Sequence, residues 1–329
     1  ADEMRPMIIS GSANPALSKK IADYCDVSLV ETNERRFRDD EFFIEVLEDV
    51  RGADLFVIQP TSTPGERNLM ELLITIDALR RGSAGRITAV VPYFGYARQD
   101  RKTGPRTPIT AKLVANLIAT AGADRILTMD LHSKQIQGFF DIPIDDLFAR
   151  PVFIDDILRR FPDRNFMIVS PDVGGVVRAR SLAKYIDADL AIIDKRRPEP
   201  GLAEVVNVIG HVKDQHCILI DDMTDTAGTL CRAADALHEK GALSVNAYCS
   251  HGLLSGGANE TILGSSLANL TITDSITPSE SVINCPKIRT ISIAPLLGEA
   301  ILRIFNNRSV SSLFEYDDDT PGGHVRLKT

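Results

Sequence analysis

Apolar residues along this chain come in short unbroken runs, separated by longer stretches in which they recur every three or four positions. Leu55-Phe56-Val57-Ile58, Ile87-Thr88-Ala89-Val90-Val91 and Ile126-Leu127-Thr128-Met129 are runs of the first kind. Phe166-Met167-Ile168-Val169, Cys217-Ile218-Leu219-Ile220, Val245-Asn246-Ala247-Tyr248 and Leu270-Thr271-Ile272-Thr273 repeat the type later in the chain. A strand wetted on one face alternates apolar and polar residues, so continuous runs predict strands covered on both faces, as in a parallel sheet. The stretches between them predict helices with legible ends. Leu69, Leu72, Leu73, Ile76 and Leu79 share one helical face, and Gly82 stands where a left-handed C-cap would stop the helix. Thr107 and Pro108 read as N-cap and first residue of a helix running to Ala121 and closed by Gly122. A helix over 230–240 ends at Gly241 in the same manner.

Strand and helix signals alternate almost from end to end, and one round closes near 145–151 before a second begins. The expected fold class is α/β: two doubly wound domains, each with a central, mostly parallel sheet. The expected boundaries are 4–149 and 150–303, with 304–316 packing back on the first domain. Residues 317–329 mix Asp, Pro, Gly and Lys with almost no apolar residues and read as a disordered tail.

Composition narrows the function without specifying it. The chain has 329 residues, 44% hydrophobic and 25% charged, the balance of a globular protein with room for two cores. No apolar run approaches the length a bilayer span requires, and neither a signal peptide nor a membrane partner is expected. The five cysteines are widely spaced, as buried reduced thiols would be, so the cytoplasm is the expected compartment. A net charge of -8 opposes nonspecific nucleic-acid binding. Anions must therefore be bound by local sites, and Arg98, Arg101, Lys102 and Arg106 form one basic patch despite the acidic whole.

The most informative segment runs from Cys217 to Thr229, where an apolar strand enters Asp221-Asp222-Met223-Thr224-Asp225-Thr226-Ala227-Gly228-Thr229 and then a helix. At the carboxyl end of a strand in an open α/β sheet, such residues face the ligand crevice. Thr226, Gly228 and Thr229, with the N–H groups of the helix start, can wrap a phosphate at the positive end of the helix dipole. Ionised Asp221 and Asp222 can accept hydrogen bonds from two vicinal sugar hydroxyls. A plain strand end with an Asx turn and N-cap would also use Asp and Thr, but not three aspartates in five positions.

This segment closely resembles the phosphoribosyl-pyrophosphate loop, and the chain as a whole resembles class I ribose-phosphate pyrophosphokinase. The resemblance rests on Phe37-Arg38-Asp39-Asp40-Glu41, Tyr96-Ala97-Arg98-Gln99-Asp100-Arg101-Lys102, Met129-Asp130-Leu131-His132 and Gln135-Ile136-Gln137-Gly138-Phe139-Phe140. Ser170-Pro171-Asp172-Val173-Gly174-Gly175 and Lys195-Arg196-Arg197 complete it in the family's order. It implies domains of the phosphoribosyltransferase type and transfer of pyrophosphate from Mg²⁺-ATP to the 1-hydroxyl of ribose 5-phosphate. By the same resemblance Lys195 and Arg197 are catalytic on a flexible loop. Phe37, Asp39, Asp40, Glu41, Arg98 and Gln99 bind ATP. Asp221, Asp222, Asp225, Thr226, Ala227, Gly228, Thr229 and Arg197 hold the sugar phosphate. His132 and Asp172 attend the Mg²⁺, with Asp172 the better direct ligand because that ion prefers oxygen.

Arg51, Arg106, Ser309, Ser311 and Phe314 match parts of an effector site for phosphate and ADP, and the implied assembly is a homohexamer, a trimer of dimers. Two departures stand out: Asp40 occupies a usual glycine position, and Asp49 replaces a frequent serine. A nucleobase phosphoribosyltransferase is the rival within the fold, and a noncatalytic subunit the rival outside enzymes. The complete first domain opposes the former, and intact Lys195, Arg197, Asp172 and His132 oppose the latter.

Overall fold

The computed structural model describes residues 4–315 and Leu327. The first domain comprises β1 (Met7–Ser10), α1 (Pro15–Tyr24), β2 (Thr32–Arg36), β3 (Phe42–Val46), β4 (Asp54–Ile58), α2 (Gly65–Arg81), β5 (Arg86–Val91), α3 (Thr110–Ala121), β6 (Arg125–Met129) and β7 (Ile144–Leu147). The second comprises α4 (Arg150–Arg160), β8 (Phe166–Ser170), α5 (Val176–Tyr185), β9 (Leu190–Arg196), β10 (Val205–Ile209), β11 (His216–Thr224) and α6 (Gly228–Glu239). It continues through β12 (Ser244–Gly252), α7 (Ala258–Leu263), β13 (Asn269–Thr273), α8 (Glu280–Ile283), β14 (Ile288–Ile291) and α9 (Ala294–Phe305).

The apolar runs became parallel strands. The first sheet has the order β1-β4-β5-β6-β7 and is wholly parallel. The second has the order β10-β9-β8-β11-β12-β13-β14, and β10 alone is antiparallel. The hairpin β2-β3 stands apart from both sheets. Helices on each face supply the cover that apolar strands need. In the second sheet the central strands run longer than their apolar runs. Asp221 pairs with Cys249 and Thr224 with Gly252, so Asp221 and Asp222 belong to strand β11 and only the residues after Thr224 form the loop.

Three local expectations are corrected. Gly82 closes α2 at φ -76°, outside the left-handed region, because its N–H reaches Ala78 O without needing a positive φ. Thr107 does not cap α3; its hydroxyl donates to Gly104 O in a separate turn, and the helix begins at Thr110. Lys195 and Arg196 are not loop residues: they end β9 and pair with Val206 and Val205 of β10.

One apolar core joins the domains. Leu127 and Met129 of the first sheet, Ile218, Ile220 and Tyr248 of the second, and Leu297 and Ile301 of α9 belong to a single buried cluster. Full burial of each aliphatic side chain contributes about 1.5–3 kcal/mol. The chain's return to the first domain begins with α9 at Ala294, before position 304. Gly298 permits it, since a Cβ there would lie 2.5 Å from the Tyr24 ring on α1. Past α9, Phe314 meets Phe148 edge-on at 5.2 Å, and its carbonyl accepts from the Tyr185 hydroxyl. The expected disordered tail, 317–329, lies outside the described residues except for Leu327, which packs against this same cluster.

Candidate active site

The carboxyl ends of β6, β8, β11 and β12 meet at the seam between domains, and their polar residues are tied across it. His132, three residues past β6, lies with Nδ1 2.8 Å from Asp222 Oδ2. Arg178 of α5 approaches the other carboxylate oxygen at 3.9 Å. Burial alone would raise the Asp222 pKa, but the hydrogen bond from His132 and the neighbouring positive charge outweigh it and hold the group ionised. The same bond raises the His132 pKa against the opposing effect of its own burial. Asp221 goes the other way: burial, then the adjacent Asp222, push it well above the carboxylate range. Two neighbouring acids are thus driven apart, one charged and one inclined to keep its proton.

After β11, Asp225 faces the crevice and is held by the Ser255 hydroxyl and by Arg98 at 3.2 Å from the first domain. Ala227 takes a left-handed conformation, φ 67°, a strained choice for a residue with a Cβ. That turn starts α6 directly at Gly228. The helix has no side-chain cap, so the N–H groups of its first turn, including those of Gly228 and Thr229, form the kind of helix start that can receive an anion. Thr226 lies within this turn.

The other expected residues divide into those the fold brings to this seam and those it does not. Asp172 follows β8 and turns Oδ1 back to the N–H of Gly175 at 2.8 Å, shaping the glycine turn before α5. Gln99 is engaged at the start of α3, with its carbonyl accepting from Ala111 N and its side chain from the Thr110 hydroxyl. Strand alternation places Lys195 and Arg197 on one side of β9 and its extension, while Arg196 turns away to pair with Asp194 at 2.9 Å. Phe37, Asp39, Asp40 and Glu41 form the tip joining β2 to β3, and Phe37 is 46% exposed. Asp40 has φ 72°, which explains why glycine suits this position and why aspartate, one of the residues that tolerates the left-handed region, can replace it. Asp40 also pairs with Arg67 at 3.3 Å. Among the described residues no hydrogen bond or ion pair links this tip to Arg98, His132 or Asp222.

Ser309, Ser311 and Phe314 share the short turn after α9, where the Ser309 and Ser311 hydroxyls are 3.1 Å apart and Arg303 donates to Ser309 O. Asp49 accepts from the N–H of Arg51 at 3.0 Å. Among the described residues no hydrogen bond or ion pair joins Arg51 or Arg106 to that turn.

Sequence reasoning missed Arg178, Ser250, His251 and Ser255. Arg178 and Asp221 line a cavity of about 400 Å³ at the seam with Asp130, His132 and Ser250. A signal existed for two of them: Ser250 and His251 follow the Val245–Tyr248 run after Cys249, at a strand end that the crevice rule marks as functional.

Comparison with known proteins identifies the family. Residues 6–122 match the family described as the N-terminal domain of ribose phosphate pyrophosphokinase, and residues 198–315 match the phosphoribosyl synthetase-associated domain. A ribose-phosphate pyrophosphokinase of Maricaulis maris is 61% identical over 308 residues, 94% of this chain and 99% of that protein. One from Caulobacter vibrioides is 61% identical over 310 residues, with the same coverage. The crystal structure of phosphoribosylpyrophosphate synthetase from Mycobacterium smegmatis superposes with a TM-score of 0.86 at 41% identity, covering 92% of this chain and all of that one.

Proposed function

Because the chain belongs to the ribose-phosphate pyrophosphokinase family and makes 5-phosphoribosyl 1-pyrophosphate from ribose 5-phosphate and ATP for nucleotide biosynthesis, we propose the following division of labour among its residues. The ribose hydroxyls bind at Asp221 and Asp222. The 5-phosphate sits on residues 225–229, against the uncapped start of α6. Arg98 and Gln99 hold the ATP phosphates beside it. The sugar 1-hydroxyl attacks the β-phosphorus, the bond to the α-phosphate oxygen breaks, and AMP leaves. Lys195 and Arg197 stabilise the charge that develops on the transferring group, as phosphoryl-transfer chemistry demands.

Mg²⁺ fits this donor set. Among the described residues no group of three or more His, Cys, Asp or Glu could cage a metal, and Mg²⁺ characteristically takes only one or two protein ligands, completing its shell with water and substrate phosphates. Asp172 would supply the oxygen, and His132, its Nδ1 tied to Asp222, would present Nε2. The ion's contribution when bound is neutralisation of the triphosphate.

The observation that carries this reading is the pair of contacts across the seam, His132 with Asp222 and Arg98 with Asp225, in which residues of the nucleotide side touch residues of the sugar side. Incubation with ribose 5-phosphate, ATP and Mg²⁺ should yield AMP and phosphoribosyl pyrophosphate in equal amounts. Pyrophosphate release from supplied phosphoribosyl pyrophosphate and a nucleobase other than adenine, with no AMP formed from ribose 5-phosphate and ATP, would instead indicate a phosphoribosyltransferase.

The isolation of the Phe37–Glu41 tip supports a nucleotide site completed by a neighbouring subunit, hence the homohexamer. Light scattering that returned only the monomer mass would contradict it. Ser309, Ser311 and Phe314, with Arg51 and Arg106 from other subunits, would form the effector site, and titrating ADP and phosphate against the rate tests it. The cysteines among the described residues are buried free thiols, which suits the cytoplasm.

A further inference from the structure

His251 lies on β12 of the second domain, is 1% exposed, and among the described residues its side chain makes no hydrogen bond to a group assigned to substrate. Both its ring nitrogens are engaged. Nε2 lies 2.8 Å from the carbonyl oxygen of Met129 and 3.2 Å from that of Asp130. A carbonyl only accepts, so Nε2 carries the proton. Nδ1, 2.7 Å from Ser275 Oγ, then accepts from that hydroxyl. Burial lowers the His251 pKa, in keeping with a neutral ring held in this one tautomer. The Tyr93 ring packs edge-on at 5.1 Å and leaves the imidazole little room to turn.

The residues it grips belong to the other domain, and one of them is strained. Asp130 has φ 41°, a left-handed conformation that needs outside support. Its carboxylate accepts from the N–H of Ala149 at 3.0 Å and from the hydroxyl of Ser250. Two consecutive residues of β12, Ser250 and His251, therefore hold the side chain and the backbone of Asp130. Two residues further on is His132, facing Asp222. If the turn at Asp130 relaxed, Leu131 and His132 would be carried away from that partner.

We propose that His251 is a positioning residue, which reaches across the domain seam to fix the left-handed turn at Asp130 and so sets His132 against Asp222. The turn proposed to hold the 5-phosphate, built after β11 on Asp225 and the start of α6, makes no hydrogen bond to the His251 side chain among the described residues. This rests on the reading of His132 as part of the nucleotide and magnesium site.

The test compares His251→Leu, which removes both nitrogens at similar volume, with His251→Gln, whose amide can return an N–H to the same carbonyls. In the folded leucine variant kcat should fall about 10- to 10²-fold, the scale of a displaced reacting group. KM for ribose 5-phosphate should stay within about twofold, as it would not if the defect spread to the sugar loop. Amide hydrogen exchange over 129–132 should quicken, and glutamine should restore both slow exchange and most of kcat. A folded leucine variant with native kcat and native exchange overturns the proposal, and so does a glutamine variant as impaired as leucine. Should the leucine variant fail to fold, Ser275→Ala decides: faster exchange over 129–132 is expected, and native exchange there overturns the proposal. If His132→Ala retains full activity while exchange in the leucine variant still quickens, the grip on Asp130 stands and only the role given to His132 falls.

Discussion

Lys195→Ala should lower kcat by about 10²- to 10³-fold, the usual cost of losing one donor aimed at charge that develops in the transition state. The fold should survive. Lys195 is held in the sheet by its backbone, opposite Val206, and truncating a half-exposed side chain leaves that ladder untouched. The expected change in stability is within about 0.5 kcal/mol, as for other surface positions. KM for ribose 5-phosphate should move little, because the proposed sugar site is on residues 221–229. Steady-state kinetics with a parallel thermal melt checks both points. Near-normal turnover in a folded variant would take Lys195 out of the mechanism. Lys195→Arg should recover only part of the rate, since a planar guanidinium cannot place its charge where the compact ammonium does.

What could be read from the sequence depended on whether burial leaves a mark in residue type. Buried parallel strands do, and the runs from Leu55 to Ile58 and from Cys217 to Ile220 announced both sheets. The turn after Thr224 was equally legible, because Asp225-Thr226-Ala227-Gly228 breaks the apolar pattern between the strand and the helix that follows. β10 was not. Val205, Val206 and Ile209 are exposed on an edge strand, so its pattern lacks the continuous burial that marked the others. That is why Lys195 was expected on a loop and is found on a hairpin. The strand ends were cut short for a related reason. Asp221, Asp222, Ser250 and His251 are polar, and only the partner strand shows that β11 and β12 stay paired through them. Their burial comes from the second domain closing over the first, a long-range fact to which local pattern is blind. Thr107 failed through competition, its hydroxyl being satisfied by Gly104 before it could cap a helix.

Asp222→Asn should be as damaging as loss of Lys195, and its effect on stability should carry a sign that identifies the cause. The carboxylate meets His132 and, in the proposed division of labour, also accepts from the sugar. A hydrogen bond to a charged group contributes about 1.5–3 kcal/mol, so losing two of them predicts a fall in kcat/KM of about 10²- to 10⁴-fold. His132 titrates higher in the folded chain than in the unfolded one. Its contribution to stability is therefore complete below the ordinary histidine value and is lost as pH rises through the raised folded value. Asp222 titrates lower when folded, so its contribution is present above the ordinary aspartate value and disappears only in strong acid. The pair is thus fully effective between about pH 5 and pH 6 and weakens toward pH 8. Asp221 adds to the same trend: raised by burial and by its charged neighbour, it ionises at a cost as pH increases. Wild-type protein should lose melting temperature between pH 6 and pH 8.5. Asparagine removes the charge that raises His132 and part of what raises Asp221, so the variant should be less stable at pH 6 and should lose stability less steeply with pH, the burial of Asp221 leaving a residual slope. A variant whose melting temperature falls with pH as steeply as wild type would show that Asp222 does not hold the proton on His132, and the electrostatic link between the two domains would have to be sought elsewhere.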